Sequence, residues 1–290
     1  MLGDLLREDI YRRLKAGFDL SEITEVRFRL SKPVMVSLRG RIFPLKAADG
    51  GAYIAEKADL EFALGVASGF SVYAVNDTLI KGYLHYGGGI RIGVTGDGVS
   101  DGNRLITLKE ISGMLIRVPH EIKGAADRFI GEILTDGGIK NTLVLSPPGG
   151  GKTTMLRELA RRASLAGYNV LVIDERYELA ASEGGIPSMD LGDNTDVIGG
   201  VSKLAAYENT IRAMSPDLIV TDELFRSDEC DAVCDIARSG VGVFASVHAE
   251  GLADIERSRV FRPLLSVFDR FVTLSKVPFP GTVKEIYKRR

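Results

Sequence analysis

Over residues 1–20 apolar side chains return at helical spacing, with Leu5, Ile10, Leu14 and Phe18 on or near one face, which predicts an amphipathic helix. From Ile23 the period changes to two. Val26, Phe28 and Leu30 alternate with Glu25, Arg27 and Arg29, so residues 23–30 read as a strand with one wet face. Residues 33–38 and 42–45, joined through Arg39-Gly-Arg41, read as a hairpin, and residues 57–70 as a helix closing at Gly69. The stretch 82–98 is dense in glycine but leads into more strand, so it reads as bulged or tightly turning β-structure, not a phosphate site. A further strand ends near Ile116. Residues 1–116 therefore predict a small α+β domain.

Beyond a connector at Arg117-Val-Pro119 the pattern predicts a helix over residues 121–134, closed by Asp136-Gly-Gly138. Strands and helices then alternate: strands at 141–145, 170–173, 218–221 and 241–245, helices at 152–166, 203–213 and 228–238. Apolar strands alternating with helices predict a parallel sheet covered on both faces. The fold class expected is thus α/β, with a RecA-like P-loop NTPase core over 117–290 preceded by the smaller α+β domain of 1–116. Residues 182–201, acidic and glycine-rich, read as a flexible loop.

The organising motif is Ser146-Pro-Pro-Gly-Gly-Gly-Lys152-Thr153-Thr154, placed between an apolar strand and a helix. Glycines let successive N–H groups face one concavity, a helix N-terminus adds partial positive charge, and a lysine reaches the β- and γ-phosphates of a nucleotide. Ser146, Pro148, Gly149, Gly150, Gly151, Lys152, Thr153 and Thr154 are therefore the expected ATP-binding residues. Ser146 stands where the usual pattern has glycine, a small residue in place of a smaller one. Thr153 and Asp222 are expected at Mg²⁺.

Such a loop needs carboxylates near the γ-phosphate. Leu218-Ile-Val-Thr-Asp222-Glu223 and Leu171-Val-Ile-Asp174-Glu175 both end apolar strands in an Asp-Glu pair. Parallel strands present their carboxyl ends on one side, so both pairs are expected to face one phosphate, with Glu223 or Glu175 orienting or deprotonating the attacking water. His248, after the strand 243–247, is expected to sense the γ-phosphate.

Composition narrows the picture. The chain has 290 residues, 45% hydrophobic and 26% charged, with a formal net charge of −2. Residues 1–116 carry 15 basic against 14 acidic side chains and 117–290 carry 22 against 25, so no half has the basic character of a nucleic-acid grip. No apolar run approaches the ~20 residues that span a bilayer, and an acidic N-terminus is unlike a signal peptide, which together predict a cytoplasmic protein. Cys230 and Cys234, four residues apart in a helical stretch, read as ordinary helix thiols.

The order of motifs resembles the four boxes of type II and type IV secretion ATPases: the phosphate loop, then Val172-Ile-Asp174-Glu175, then Met214-Ser-Pro-Asp217 running to Asp222-Glu223 and Arg226, then Ala245-Ser-Val-His248. Within that superfamily the chain is similar to the stage III sporulation protein AA family, through Glu25-Val-Arg-Phe-Arg-Leu-Ser-Lys-Pro33, Ile90-Arg-Ile-Gly-Val-Thr-Gly96 and Asn194-Thr-Asp-Val197 as well. The resemblance implies a ring-forming motor ATPase, a homo-oligomer expected as a hexamer, acting in endospore formation from the mother-cell side. It implies ATP hydrolysis that powers assembly of, or transport through, a membrane channel, by docking on a membrane-embedded sporulation protein. It also implies that Arg226 acts in catalysis, and more weakly that Arg39 and Arg41 contact phosphate. Asp222 stands where many secretion ATPases carry glycine, so its Mg²⁺ role rests on general P-loop chemistry. The alternative is a P-loop ATPase that binds single-stranded nucleic acid, against which stand the near-neutral charge and the absence of tryptophan. A small-molecule kinase is a third, but residues 182–201 lack the arginines of a kinase lid.

Overall fold

The computed structural model describes every residue except 1, 39, 72–74, 81, 183 and 290, and the side chain of Asp77. Arg39, an expected phosphate contact, lies outside the described residues. The chain forms two compact units, Met1–His120 and Glu121–Arg290.

In the first unit, helix α1 (Glu8–Gly17) buries Ile10 and Leu14, four residues apart, as its periodicity predicts. Strands β1 (Ile23–Arg29), β2 (Met35–Leu38) and β3 (Arg41–Pro44) precede helices α2 (Lys57–Ala67) and α3 (Asn76–Leu79). Strands β4 (Tyr83–Tyr86), β5 (Ile90–Asp101) and β6 (Arg104–Arg117) complete a six-stranded antiparallel sheet in the order β3-β2-β1-β6-β5-β4. Val26 and Phe28 of β1 are buried with α1 and α2 side chains in one core. The glycine-dense stretch is bulged β-structure: the β5–β6 register shifts between Thr95 and Asp97, and a Cβ on Gly96 would stand 2.7 Å from the Lys109 carbonyl oxygen. Arg41 is exposed on an edge strand.

The second unit begins differently from expectation. Residues 121–134 do not form an α-helix. Bonds from Asp127 N–H to Gly124 O, Phe129 N–H to Ala126 O and Glu132 N–H to Phe129 O make three-residue turns, ending in a 3₁₀ segment at Ile130–Glu132. Gly124 at φ +83° interrupts helical winding, and the tighter turns still bury Ala126, Phe129 and Ile133. A short hairpin follows, β7 (Leu134–Thr135) with β8 (Gly138–Ile139).

The main sheet is built from β9 (Thr142–Ser146), helix α4 (Lys152–Leu165), β10 (Val170–Asp174), β11 (Thr195–Gly199), helix α5 (Lys203–Met214), β12 (Leu218–Thr221), helix α6 (Ser227–Arg238), β13 (Gly242–His248), helix α7 (Leu252–Arg257), β14 (Arg270–Ser275) and β15 (Thr282–Lys288). Its order is β11-β10-β12-β13-β9-β14-β15, parallel except where β15 returns antiparallel to β14. Alternate side chains go to opposite faces. Val144, Val172, Val220, Phe244 and Val272 pack with Met155 and Leu159 of α4, whereas Leu143, Leu171, Ile219, Val243 and Phe271 pack with Tyr207 of α5 and Val233 of α6. Both faces being dry is why these strands read as continuous apolar runs.

The stretch 182–201 is not loop throughout, because β11 pairs with β10 from Val170–Thr195 to Asp174–Gly199 as the edge strand. Val197 and Ile198, on opposite faces, are its few apolar anchors, too short a signal against the surrounding glycines. Among the described residues no helix is long and apolar enough to cross a membrane.

Candidate active site

The carboxyl ends of β9, β12 and β13 define the site. β9 delivers Ser146, fully buried, and two prolines then carry the chain off the strand direction. Gly149 at φ +70° and Gly151 at φ +95° take left-handed conformations that favour glycine. Ser146 is accommodated by Gly150, where any Cβ would stand 1.8 Å from the serine Oγ, and that hydroxyl donates to Pro147 O at 2.8 Å. Helix α4 then starts at Lys152 with Gly151 as an N-cap that offers no side-chain acceptor, so no side-chain cap takes up its first-turn N–H groups. Pro148 and Gly149 are exposed on the rim of this loop. Thr154, half-buried on α4, faces a separate recess with Glu121, Arg157 and Asp190.

Lys152 is buried, and its ammonium lies 2.8 Å from His248 Nδ1 and 3.5 Å from Ser146 O. Burial holds its pKa below the ordinary lysine value, with the Asp222, Glu223 and Glu178 charges opposing that shift and Lys276 adding to it. An ammonium donating to Nδ1 leaves the ring proton of His248 on Nε2, and Nε2 contacts Glu223 Oε1. The second carboxylate oxygen of Glu223 accepts from Arg176 at 3.0 Å. Glu223 sits at φ +46°, a backbone state costing about 1–3 kcal/mol for a non-glycine residue, which persists only where its surroundings enforce it. Ser246 does so: its Oγ accepts the Glu223 N–H at 3.0 Å and its carbonyl accepts the Leu224 N–H at 2.8 Å. The same hydroxyl donates to Asp222 Oδ1 at 2.6 Å, and Asp222 Oδ2 accepts from Thr153 at 2.7 Å. One hydrogen-bonded chain thus runs Thr153–Asp222–Ser246–Glu223–His248–Lys152.

The second Asp-Glu pair behaves differently. Asp174 is buried, and its carboxylate accepts the N–H groups of Glu178, Leu179 and Ala180 at 2.7, 3.1 and 2.7 Å. These bonds fold the chain that follows β10. Burial raises its pKa above the usual carboxylate value, against the three backbone bonds. Glu175 pairs at 3.0 Å with Lys203, whose buried ammonium also lies 3.8 Å from Glu229. Asp174, Glu175, Arg176, Lys203, Asp222 and Glu223 line one recess. Arg226 is not brought to this cluster. It is exposed and forms two bonds to Asp228, at 2.9 and 2.6 Å, at the start of α6.

Arg176, Ser246 and Lys203 carry no distinguishing motif. Ser246 lies two residues before His248 on the same face of a strand end, which is the one signal that marked it. Cys230 and Cys234 are buried on α6, and burial pushes the Cys230 thiol up to about 12, a value that makes it inert.

No group of three or more His, Cys, Asp or Glu side chains that could hold a metal occurs among the described residues. Mg²⁺ needs no such cage, since it keeps waters and takes one or two protein oxygens beside substrate phosphates. Thr153 Oγ1 and Asp222 Oδ2, 2.7 Å apart at the first turn of α4, are an oxygen pair that fits this demand.

Comparison with known proteins agrees with this architecture. A solved structure of the ATPase DotB from Legionella pneumophila superposes with a TM-score of 0.62 at 16% identity, covering 91% of this chain and 74% of that one. The pilus retraction motor PilT with bound ADP superposes with a TM-score of 0.59 at 16% identity, covering 92% and 76%. At that identity the likeness shows the fold alone, the α/β P-loop fold of the secretion and pilus ATPases. In sequence the chain is 32% identical over 275 residues to stage III sporulation protein AA of Bacillus subtilis (strain 168), covering 92% of this chain and 87% of that protein. The family described as "Sporulation stage III, protein AA" matches residues 2–290, and the chain belongs to that family.

Proposed function

We propose that the chain is an ATP hydrolase whose catalytic centre is the hydrogen-bonded chain from Thr153 to Lys152. The observation that carries the reading is the convergence of an uncapped helix start, a buried lysine and two carboxylates that follow one parallel strand, held by the serine and histidine of its neighbour. The loop N–H groups and Lys152 would bind the β- and γ-phosphates, the lysine exchanging His248 Nδ1 for a phosphate oxygen. Mg²⁺, held by Thr153 and by Asp222 directly or through water, would neutralise charge developing on the phosphate oxygens. Glu223 is the base: it is aimed by Ser246, and its carboxylate takes the proton of the attacking water. His248, its Nε2 proton directed at Glu223, reports to the base whether Lys152 has left for the phosphate. Glu175, already neutralised by Lys203, is the weaker candidate.

Arg226 sits outside the cluster, which suits an arginine delivered to a neighbouring subunit, where such a contact is worth about 10³–10⁵ in rate. The whole protein would then be a ring motor, expected as a hexamer, working in the mother-cell cytoplasm on a membrane-embedded channel protein in endospore formation. The fold shared with the pilus retraction motor PilT supports a motor role. The test is mass by light scattering on Glu223→Gln with and without Mg²⁺·ATP, beside phosphate release by the unaltered chain. A shift to about six subunits with hydrolysis in the unaltered chain upholds the reading. Absence of hydrolysis overturns it.

A further inference from the structure

We infer that Lys276, on the turn joining β14 to β15, is a second nucleotide-binding cation, directed at the phosphates nearest the nucleoside of a nucleoside di- or triphosphate; this rests on the nucleotide reading above. The turn is seated on the phosphate loop. Gly281 donates its N–H to Gly150 O at 2.9 Å, and a Cβ on Gly151 would stand 2.8 Å from Gly281 N. Lys276 Nζ and Cε both lie 3.8 Å from the position a Cβ would take on Gly149, the exposed glycine of the loop rim. No ion pair ties Lys276 to a carboxylate among the described residues, and the side chain is exposed.

Strand order decides which phosphates it addresses. β9, which delivers the loop, borders β13 on one side and β14 on the other. Asp222, Glu223 and His248 occupy the β12–β13 flank, where the terminal phosphate meets water. The nucleoside end of the ligand is therefore left to the β14 flank, and Lys276 stands there. Burial chiefly, and Lys276 to a smaller extent, lower the Lys152 pKa, so the two ammonium groups are near enough to feel each other across the loop. A contact to the inner phosphates is the same in ATP, in ADP and in the transition state. Such uniform binding lowers KM and leaves kcat alone.

The experiment is titration calorimetry of the full chain with ADP and with a non-hydrolysable ATP analogue, on Lys276→Ala, Lys276→Arg and Lys152→Ala, with steady-state kinetics. Lys276→Ala is expected to weaken both ligands about tenfold, as loss of one charge-assisted bond does, with kcat within about twofold and most affinity restored by Lys276→Arg. Unaltered ADP affinity in Lys276→Ala, a loss confined to the ATP analogue, or a fall in kcat at constant KM overturns the assignment while leaving the nucleotide reading standing. If the unaltered chain and Lys152→Ala alike bind no nucleotide, both fall.

Discussion

Two strands of the main sheet end in the same words, Val-Ile-Asp174-Glu175 and Ile-Val-Thr-Asp222-Glu223, and the structure uses them in opposite ways. At β10 the aspartate is spent inward on three backbone N–H groups and the glutamate on a buried lysine. At β12 both carboxylates are held by groups that a ligand can replace or share: a threonine and a serine hydroxyl, a histidine and an arginine. The difference arises one step outside each motif. After β10 the chain curls back over the aspartate, whereas after β12 the left-handed turn at Glu223, clamped by Ser246, swings the second carboxylate toward β13. A carboxylate answered by fixed backbone builds structure, and one answered by side chains stays available for chemistry.

The largest expected effect separates the two glutamates. Glu223→Gln should lower phosphate release about 10²–10⁴-fold with ATP binding retained, whereas Glu175→Gln should lower it by less than about tenfold; single-turnover kinetics decide it. Equal losses would erase the contrast. The aspartates separate by stability. Asp174→Asn places an amide donor against backbone N–H groups and should cost about 2 kcal/mol in urea unfolding, with nucleotide affinity unchanged.

A smaller effect comes from Lys152, the cation facing the β12 end. Its folded pKa is lowered, so below that value both states are protonated and the burial cost is fully present. As pH rises through the lowered pKa toward 10.5 the folded state sheds its proton first and the protein gains stability. Lys152→Met should lack that gain and should raise the ligand-free melting temperature at pH 7 by about 2 °C, read by calorimetry. The smallest effect is at Arg226→Ala, where loss of an exposed pair with Asp228 should leave the melting temperature unchanged while hydrolysis falls only at protein concentrations that support assembly.

Periodicity made much of the architecture legible: α1 and β1 from their apolar spacing, and the parallel core from its dry strands. It misled where spacing three stood for spacing three or four, as in residues 121–134, and was silent where an edge strand needed only two apolar anchors, as in β11. The loop and the strand ends were legible at the site because backbone chemistry demands glycine, lysine and terminal carboxylates there. Arg176, Ser246 and Lys203 were not, since their roles depend on which partner the fold sets across from them. Asp174 and Asp222 have alike flanking letters, and only the path of the next six residues distinguishes them.

Under the proposed nucleotide reading, the contact between Lys152 and His248 would turn capture into a competition. An ammonium bonded to His248 Nδ1 would yield to a phosphate oxygen only by the margin between the two partners. Turnover under that reading would be an exchange of partners around one ammonium.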